Sequence, residues 1–327
     1  MSADVAAALT EQWARARPET LEIVNAERVS TGASAETTVL EAKLDGRDAR
    51  LVVQLMAGRQ FGSGIGRREQ ARIQSLAHRW GVPTAEVLLV LEPTPRTPEG
   101  FVTAYLSGET LGRRIVSEPG LIAARKVLTA QCAKALAQIH AVPVSEAKWL
   151  PPRSARSQID ELARIHRSYG DAMPIFELAI SWLRRNVPAV DTDVIVHGDF
   201  RNGNLIVNSE GLVAVLDWEL AHRGDPMEDL GWLCQRAWRF GEGHLAVGGF
   251  GKRDDLYAEY ERASGRIVDP AAVTFWEILG TLKWGVICQW FGRQYLTGEV
   301  KKIERIAIGR RVSEVEYDLL DLIEGRN

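Results

Sequence analysis

The sequence predicts an α+β fold in two parts: a small antiparallel β-rich N-terminal lobe, residues 1–106, and a larger, mainly helical C-terminal lobe, residues 107–327. Three observations predict it. The first part, after a leading helix, reads mainly as strands broken by Gly and Asp-Gly. After Ser107-Gly108, apolar residues recur at helical spacing, as at Leu128, Cys132, Ala135, Leu136 and Ile139. One strand pair, NLIVN and LVAVLD around the turn Ser209-Glu210-Gly211, interrupts the helices.

The elements follow in order. MSADVAAALTEQWARARPE reads as a short helix, because it carries acids and lacks the apolar core of a targeting segment. LEIVNAERVS, TTVLEAKL and ARLVVQLM are strands. A helix over Arg67–Trp80 is ended by Gly81 and Pro83. AEVLLVLE and GFVTAYL are two more strands, leading into a hinge near Thr103–Gly108. Beyond it, helices are expected near Gln158–Tyr169, Ile175–Asn186, Pro226–Phe240, Asp254–Ser264, Ala271–Tyr295 and Val300–Ile323. Gly241–Gly251 is Gly-rich and reads as a mobile loop.

Composition narrows the function classes. With 46% hydrophobic and 25% charged residues the chain can build a real core. A net charge of −3 gives no overall basic footprint for nucleic acid. Three widely spaced cysteines without C-x-x-C spacing imply buried thiols in a reducing compartment. No run of about 18 apolar residues is evident, so no membrane partner is expected. The expected location is the cytoplasm.

The densest polar cluster is His197-Gly198-Asp199-Phe200-Arg201-Asn202-Gly203-Asn204, followed by the strand pair and Leu216-Asp217-Trp218-Glu219. Antiparallel pairing about Ser209-Glu210 sets Asn204 roughly opposite Val215, with Asp217 two residues beyond. At about 3.3 Å per residue, the two side chains start within roughly 7 Å. An amide oxygen and a carboxylate so placed can share Mg²⁺, which takes oxygen ligands. Asp199, ahead of the same hairpin, can accept a proton from an attacking hydroxyl. Arg201 can hold a phosphoryl oxygen. These are the parts that phosphoryl transfer needs.

The pattern H-G-D-x-x-x-x-N with the Asp of L-D-W-E resembles the aminoglycoside phosphotransferase and choline kinase-like family, relatives of protein kinases. Gly224-Asp225-Pro226 with Glu228-Asp229-Leu230 resembles that family's G-D-P-x-x-D-L stretch. The same stretch reads as a helix start, with Asp225 as N-cap, Pro226 at the first position and Glu228 closing a capping box. Weaker landmarks are Arg68-Glu69, Gly81-Val82-Pro83 and Leu136–His140. H-G-D-F-R-x-G-N and L-D-W-E-x-A resemble most the kinase domains that accompany acyl-CoA dehydrogenases, some of which phosphorylate hydroxyacyl-CoA thioesters. The resemblance implies a two-lobed protein-kinase-like fold with ATP as donor, GTP remaining open, and Mg²⁺ as cofactor. It implies Asp199 as catalytic base with Arg201 beside it, and Asn204 and Asp217 as metal ligands. The acceptor is then a hydroxyl of a small molecule: an aminoglycoside, a choline-like amine alcohol, a sugar or a hydroxyacyl-CoA.

By the same resemblance the nucleotide is held by Gly32 and Ser34 of the loop Ser30–Glu36, by Gln54 and Glu69, and by Thr103 and Leu106 at the hinge. Glu69 falls on one stripe with Ile73, Leu76 and Trp80 and is expected to face inward. Its strand partner departs from the family: Gln54 stands where a Lys is expected, and Arg50 or Lys43 are candidate substitutes. That departure keeps open a pseudokinase or regulatory nucleotide-binding module. Gly62-Ser63-Gly64-Ile65-Gly66 keeps open, more distantly, a nicotinamide enzyme. On the helix Ala271–Tyr295 the aromatic residues are expected in the core, with Lys283 on the Trp276–Gly280–Trp284 face as a candidate acceptor contact. His197 is expected to be structural.

Overall fold

In the computed structural model, Ser2 caps the first helix, α1 (Ala3–Ala16), its hydroxyl accepting from the Val5 amide. The structure describes residues 1–31, 35–56, 61–62, 64–95, 97–189 and 193–326. Two compact units emerge. One comprises Met1–Glu109, Leu205–Asn208 and Leu212–Ala221; the other Thr110–Asn204, Ser209–Gly211 and His222–Asn327.

The first unit is built on one antiparallel sheet. Its strands are β1 (Leu21–Thr31), β2 (Ala35–Leu44), β3 (Arg47–Met56), β4 (Val87–Leu91) and β5 (Gly100–Ala104), in the order β1-β2-β3-β5-β4. The Asp45-Gly46 pair joins β2 to β3 with Leu44 opposite Arg47, both turn residues having positive φ, as a tight hairpin requires. Alternation on β3 buries Leu51, Val53 and Leu55 and leaves Gln54 half-buried on the other face. Val5, Leu9 and Trp13, recurring every four residues on α1, pack onto the buried side with Leu40, Leu91 and Val102. Among the described residues every pairing of this sheet is antiparallel, without the βαβ unit that a dinucleotide fold needs, which leaves the nicotinamide reading of Gly62–Gly66 unsupported.

Helix α2 (Arg67–Arg79) lies between β3 and β4 in the chain. Ile73 and Leu76 are buried as expected, whereas Trp80 is 44% exposed, because the helix stops at Arg79 and turns away there.

The second unit is mostly helical. It holds α3 (Gly112–Ser117), α4 (Ile122–Ala141), α5 (Ala155–Ser168) and α6 (Pro174–Arg185), then strand β6 (Val194–Val196). The chain continues through the hairpin β7 (Leu205–Asn208) and β8 (Gly211–Val215), whose paired strands group with the first unit. It returns through β9 (His222–Gly224), antiparallel to β6, and ends in α7 (Met227–Cys234), α8 (Arg253–Ser264), α9 (Pro270–Leu296), α10 (Ile303–Gly309) and α11 (Val312–Ile323).

Two expected helices are divided. The first stops at Cys234 because Gln235 turns extended (ψ 144°), and only a 3₁₀ turn, Arg236–Trp238, follows. The second breaks at Arg310-Arg311 into α10 and α11. The Gly-rich stretch 241–251 is a series of turns, closed by a Val247–Gly251 bridge and held by Asn202 on the Gly248 carbonyl.

Helix α9, capped by Asp269 with Pro270 at its first position, is the core helix of this unit and packs against α5, α6, α7, α10 and α11. The expectation that no stretch is long and apolar enough to cross a membrane needs correction. α9 passes on length and composition, but 72% of that window is buried inside the fold, as in a core helix. Cys132, Cys234 and Cys288 are buried free thiols.

Candidate active site

Strand β6 delivers the chain into His197-Gly198-Asp199, and a buried carboxylate on α7 fixes that loop. Asp229 accepts from the His197 amide at 2.8 Å and the Gly198 amide at 2.9 Å. His140 of α4 meets the same carboxylate through Nε2 at 3.1 Å and the Tyr260 hydroxyl through Nδ1 at 2.7 Å. Burial works against a charge on Asp229, but His140 and His197 outweigh it, so its carboxyl titrates below the ordinary range. His197 is structural here: its Nδ1 accepts from the Asp199 amide, and its ring edge meets Phe200.

The loop presents the Asp199 carboxylate to three side-chain donors. The Trp232 indole N–H donates to Oδ1 at 2.8 Å, Arg201 Nε to Oδ1 at 3.1 Å, and Asn204 Nδ2 to Oδ2 at 2.5 Å. Arg201 also stacks over the Trp238 ring at 4.5 Å. Gly203 is required between them. Its φ is +108°, and a Cβ there would lie 2.6 Å from Arg201 Nη1. Asn202, fully buried, donates to the Gly112 and Gly248 carbonyls and pins the loop from beneath. The structure therefore brings together Asp199, Arg201 and Asn204.

The remaining candidates belong to the first unit. Asp217 is half-buried, two residues after β8, in left-handed backbone (φ 65°, ψ 69°). The segment after β8 is tied down: Thr84 donates to the Val215 carbonyl, and the Trp218 indole donates to the Thr84 hydroxyl. The Glu219 carbonyl accepts from the Ile65 amide at 2.9 Å. Gln54 stands opposite Thr37 and Phe101 in the sheet; Thr103 is buried on β5 and Leu106 half-buried after it. Glu69 folds over its own helix start, where a Cβ on Gly66 would lie 2.7 Å from its Oε2. Arg50 stacks on the Tyr105 ring at 3.7 Å. Gly32 and Ser34 lie outside the described residues.

Two residues with a part in these groups, Arg67 and Trp232, escaped the sequence reading, and a third, Lys283, was expected only as an acceptor contact. Arg67, 1% exposed, has Nη2 3.9 Å from Glu219 Oε2. Arginine is a surface residue by default, so nothing flagged it. Trp232 was legible in principle, since it follows Asp229 by three residues and so shares its helix face. Lys283 donates to the Gly198 carbonyl at 3.2 Å and lies 4.5 Å over the Trp232 ring, behind the loop. Of the α9 aromatics, Trp276 lines a groove of about 530 Å³ with Arg153, Arg156 and Arg223. The Glu228 side chain departs from the expected capping box and takes Gln158 and His222 as partners, while Asp225 accepts from Met227 and Trp276.

Taken singly, the expected metal ligands are oxygen donors of the kind a hard cation takes. Asn204 spends its amide N–H groups on Asp199, which leaves Oδ1 as an acceptor, and Asp217 offers a carboxylate. Among the described residues, no three His, Cys, Asp or Glu side chains form a closed metal site. Mg²⁺ takes oxygen ligands of these two kinds, amide and carboxylate, and lets phosphate oxygens and water complete its shell.

The antiparallel sheet unit, the helical unit and the loop between β6 and β7 define a protein of kinase-like fold. Solved structures agree. A Ralstonia eutropha protein assigned provisionally as an aminoglycoside phosphotransferase is similar over 98% of both chains, with a TM-score of 0.77 at 21% identity. A spectinomycin phosphotransferase solved with ADP and spectinomycin is similar over 96% of this chain and 97% of its own, with a TM-score of 0.64 at 15% identity. The sequence pattern of the phosphotransferase enzyme family known as APH matches residues 26–272, and the chain belongs to that family. Such a fold supports small-molecule kinase activity. Among curated proteins, the Arabidopsis thaliana probable acyl-CoA dehydrogenase IBR3 is 30% identical over 187 residues, 51% of this chain and 22% of that protein. The Mus musculus acyl-CoA dehydrogenase family member 10 is 43% identical over 65 residues, 19% of this chain and 6% of that protein. The chain thus corresponds to a minor share of those relatives' length.

Proposed function

We propose that the protein transfers the γ-phosphoryl group of ATP, with Mg²⁺, to a hydroxyl of a small molecule. The observation that carries this reading is the Asp199 carboxylate, held by Trp232, Arg201 and Asn204 one residue after a backbone anchored to Asp229. A carboxylate so oriented accepts the proton of an attacking alcohol, and Arg201 beside it offsets charge on the transferred group. Asn204 and Asp217 bracket the β7–β8 hairpin and would hold Mg²⁺, whose part is to neutralise phosphate charge. ATP as donor is supported by related folds solved with ADP and AMP-PNP.

On this reading residues 1–106 serve the nucleotide, through Gly32, Ser34, Gln54, Glu69, Thr103 and Leu106, and residues 107–327 serve the acceptor. Arg67 on Glu219 supplies a buried cation in the part that lacks the strand lysine. The acceptor we place first is a hydroxyacyl thioester, because the curated relatives are named as acyl-CoA dehydrogenase family members. Aminoglycosides, sugars and amine alcohols stand beside it. The cytoplasm is the location we infer.

The test is an acceptor screen with purified protein and MgATP, following ADP release and weighing the product. Transfer to one acceptor class supports the reading. Nucleotide binding without transfer to any acceptor would favour a binding module instead. In the active pair, Asp199→Asn should lower turnover by about 10²- to 10⁴-fold with the fold retained. Asp217→Ala should abolish the response to added Mg²⁺, and an unchanged metal titration would remove Asp217 from the ligand set.

A further inference from the structure

Behind Asp199 stands a second layer made from two helices far apart in sequence. Trp232 of α7 donates its indole N–H to Asp199 Oδ1 at 2.8 Å. Lys283 of α9 sets its ammonium 4.5 Å over that same indole ring. It also donates to the carbonyl of Gly198, the residue preceding Asp199, at 3.2 Å. Trp232 and Lys283 are 3% and 9% exposed. The ammonium therefore grips the loop twice, once by its backbone and once through the ring that holds its carboxylate.

The chemistry of such a stack has a direction. A cation over an indole face draws on the electron density of the ring. The ring N–H becomes more acidic and donates more strongly to an anionic oxygen, since linked polar contacts reinforce one another at low local dielectric. Burying an ammonium is costly unless it finds partners; here it has this carbonyl and this ring, with the charge of Glu228 also acting in its favour.

We propose that Lys283 and Trp232 are a positioning pair: the Lys283 ammonium polarises the Trp232 indole and holds the Gly198 carbonyl, and together these fix one oxygen of the Asp199 carboxylate. Neither side chain touches the reacting atoms; both act through Asp199. The pair rests on the phosphotransferase reading for its catalytic consequence, but not for its physical one.

The experiment separates the two. In ¹⁵N–¹H spectra of the ligand-free protein, the indole resonance of Trp232 is identified by its loss in Trp232→Phe. Asp199→Asn, which removes the charged acceptor, and Lys283→Met, which removes the cation, should each move that proton upfield. Lys283→Arg should restore part of the shift. In turnover, Trp232→Phe and Lys283→Met should lower kcat by about 10- to 100-fold, the loss expected for one hydrogen bond to a charged group. The KM for nucleotide should stay within about twofold, because no nucleotide contact is removed. A Trp232 resonance that ignores both Asp199→Asn and Lys283→Met overturns the pair, whatever the turnover shows. An equal rise in nucleotide KM with unchanged kcat overturns it as well. If Lys283→Met does not fold, the resonance in Asp199→Asn and Lys283→Arg decides alone. A wild-type protein that releases no ADP with any acceptor overturns the phosphotransferase reading, and the resonance still decides the pair.

Discussion

Asp229 shows how one residue can carry a loop. Its carboxylate is the acceptor for two backbone amides and for His140, all out of water. Asp229→Ala strands those donors, and each stranded donor costs about 1–3 kcal/mol. A loss of about 3 kcal/mol or more in urea unfolding is expected. The pH response follows from its lowered carboxyl. The charged form stabilises the fold at neutral pH, and that stabilisation is lost as the pH falls below about 4. Wild type and Asp229→Asn should therefore converge in stability as the medium is acidified. At Lys283 it is the charged form that folding disfavours. Burial lowers its ammonium below the usual lysine range, with Glu228 opposing. Between that lowered value and about 10.4 the unfolded chain binds more protons, so stability gains with rising pH. Urea midpoints across that interval should climb in wild type relative to Lys283→Met, and parallel curves would remove the buried charge.

At the scale of elements, the turn Arg201–Asn204 is the most exacting. Gly203→Ala forces a side chain into positive φ against Arg201, at about 1–3 kcal/mol for the backbone alone. It should also lower turnover, because the Arg201 guanidinium beside Asp199 must shift to make room. The long strands, α2, α5, α6, α8 and α9 were legible from apolar periodicity, because each buries one face or, for α9, nearly all faces. The pair β6 and β9 was not, since three residues carry no readable alternation. Nor was the stop at Gln235, a residue that helices accept readily; tertiary packing overrides propensity there. The hairpin that carries Asn204 and Asp217 was legible because its turn and strands are contiguous. The contacts of Trp232 and Lys283 with the loop span 33 and 85 residues, and no local pattern announces them.

For the molecule as a whole, a ligand that binds the folded chain must raise its melting temperature by mass action. MgATP should do so, at about 2.7 kcal/mol of added stability when present at a hundredfold its Kd, whereas NADH should leave the transition in place. A shift with NADH alone would reopen the fold assignment. The grouping of Leu205–Asn208 and Leu212–Ala221 with Met1–Glu109 has a consequence during synthesis. A nascent chain paused at residue 109 has every strand of the five-stranded sheet but not the ribbon that docks on Pro83 and Thr84. The first unit cannot reach its final form until residue 221 has left the ribosome, and no single cut in the finished chain frees either unit intact.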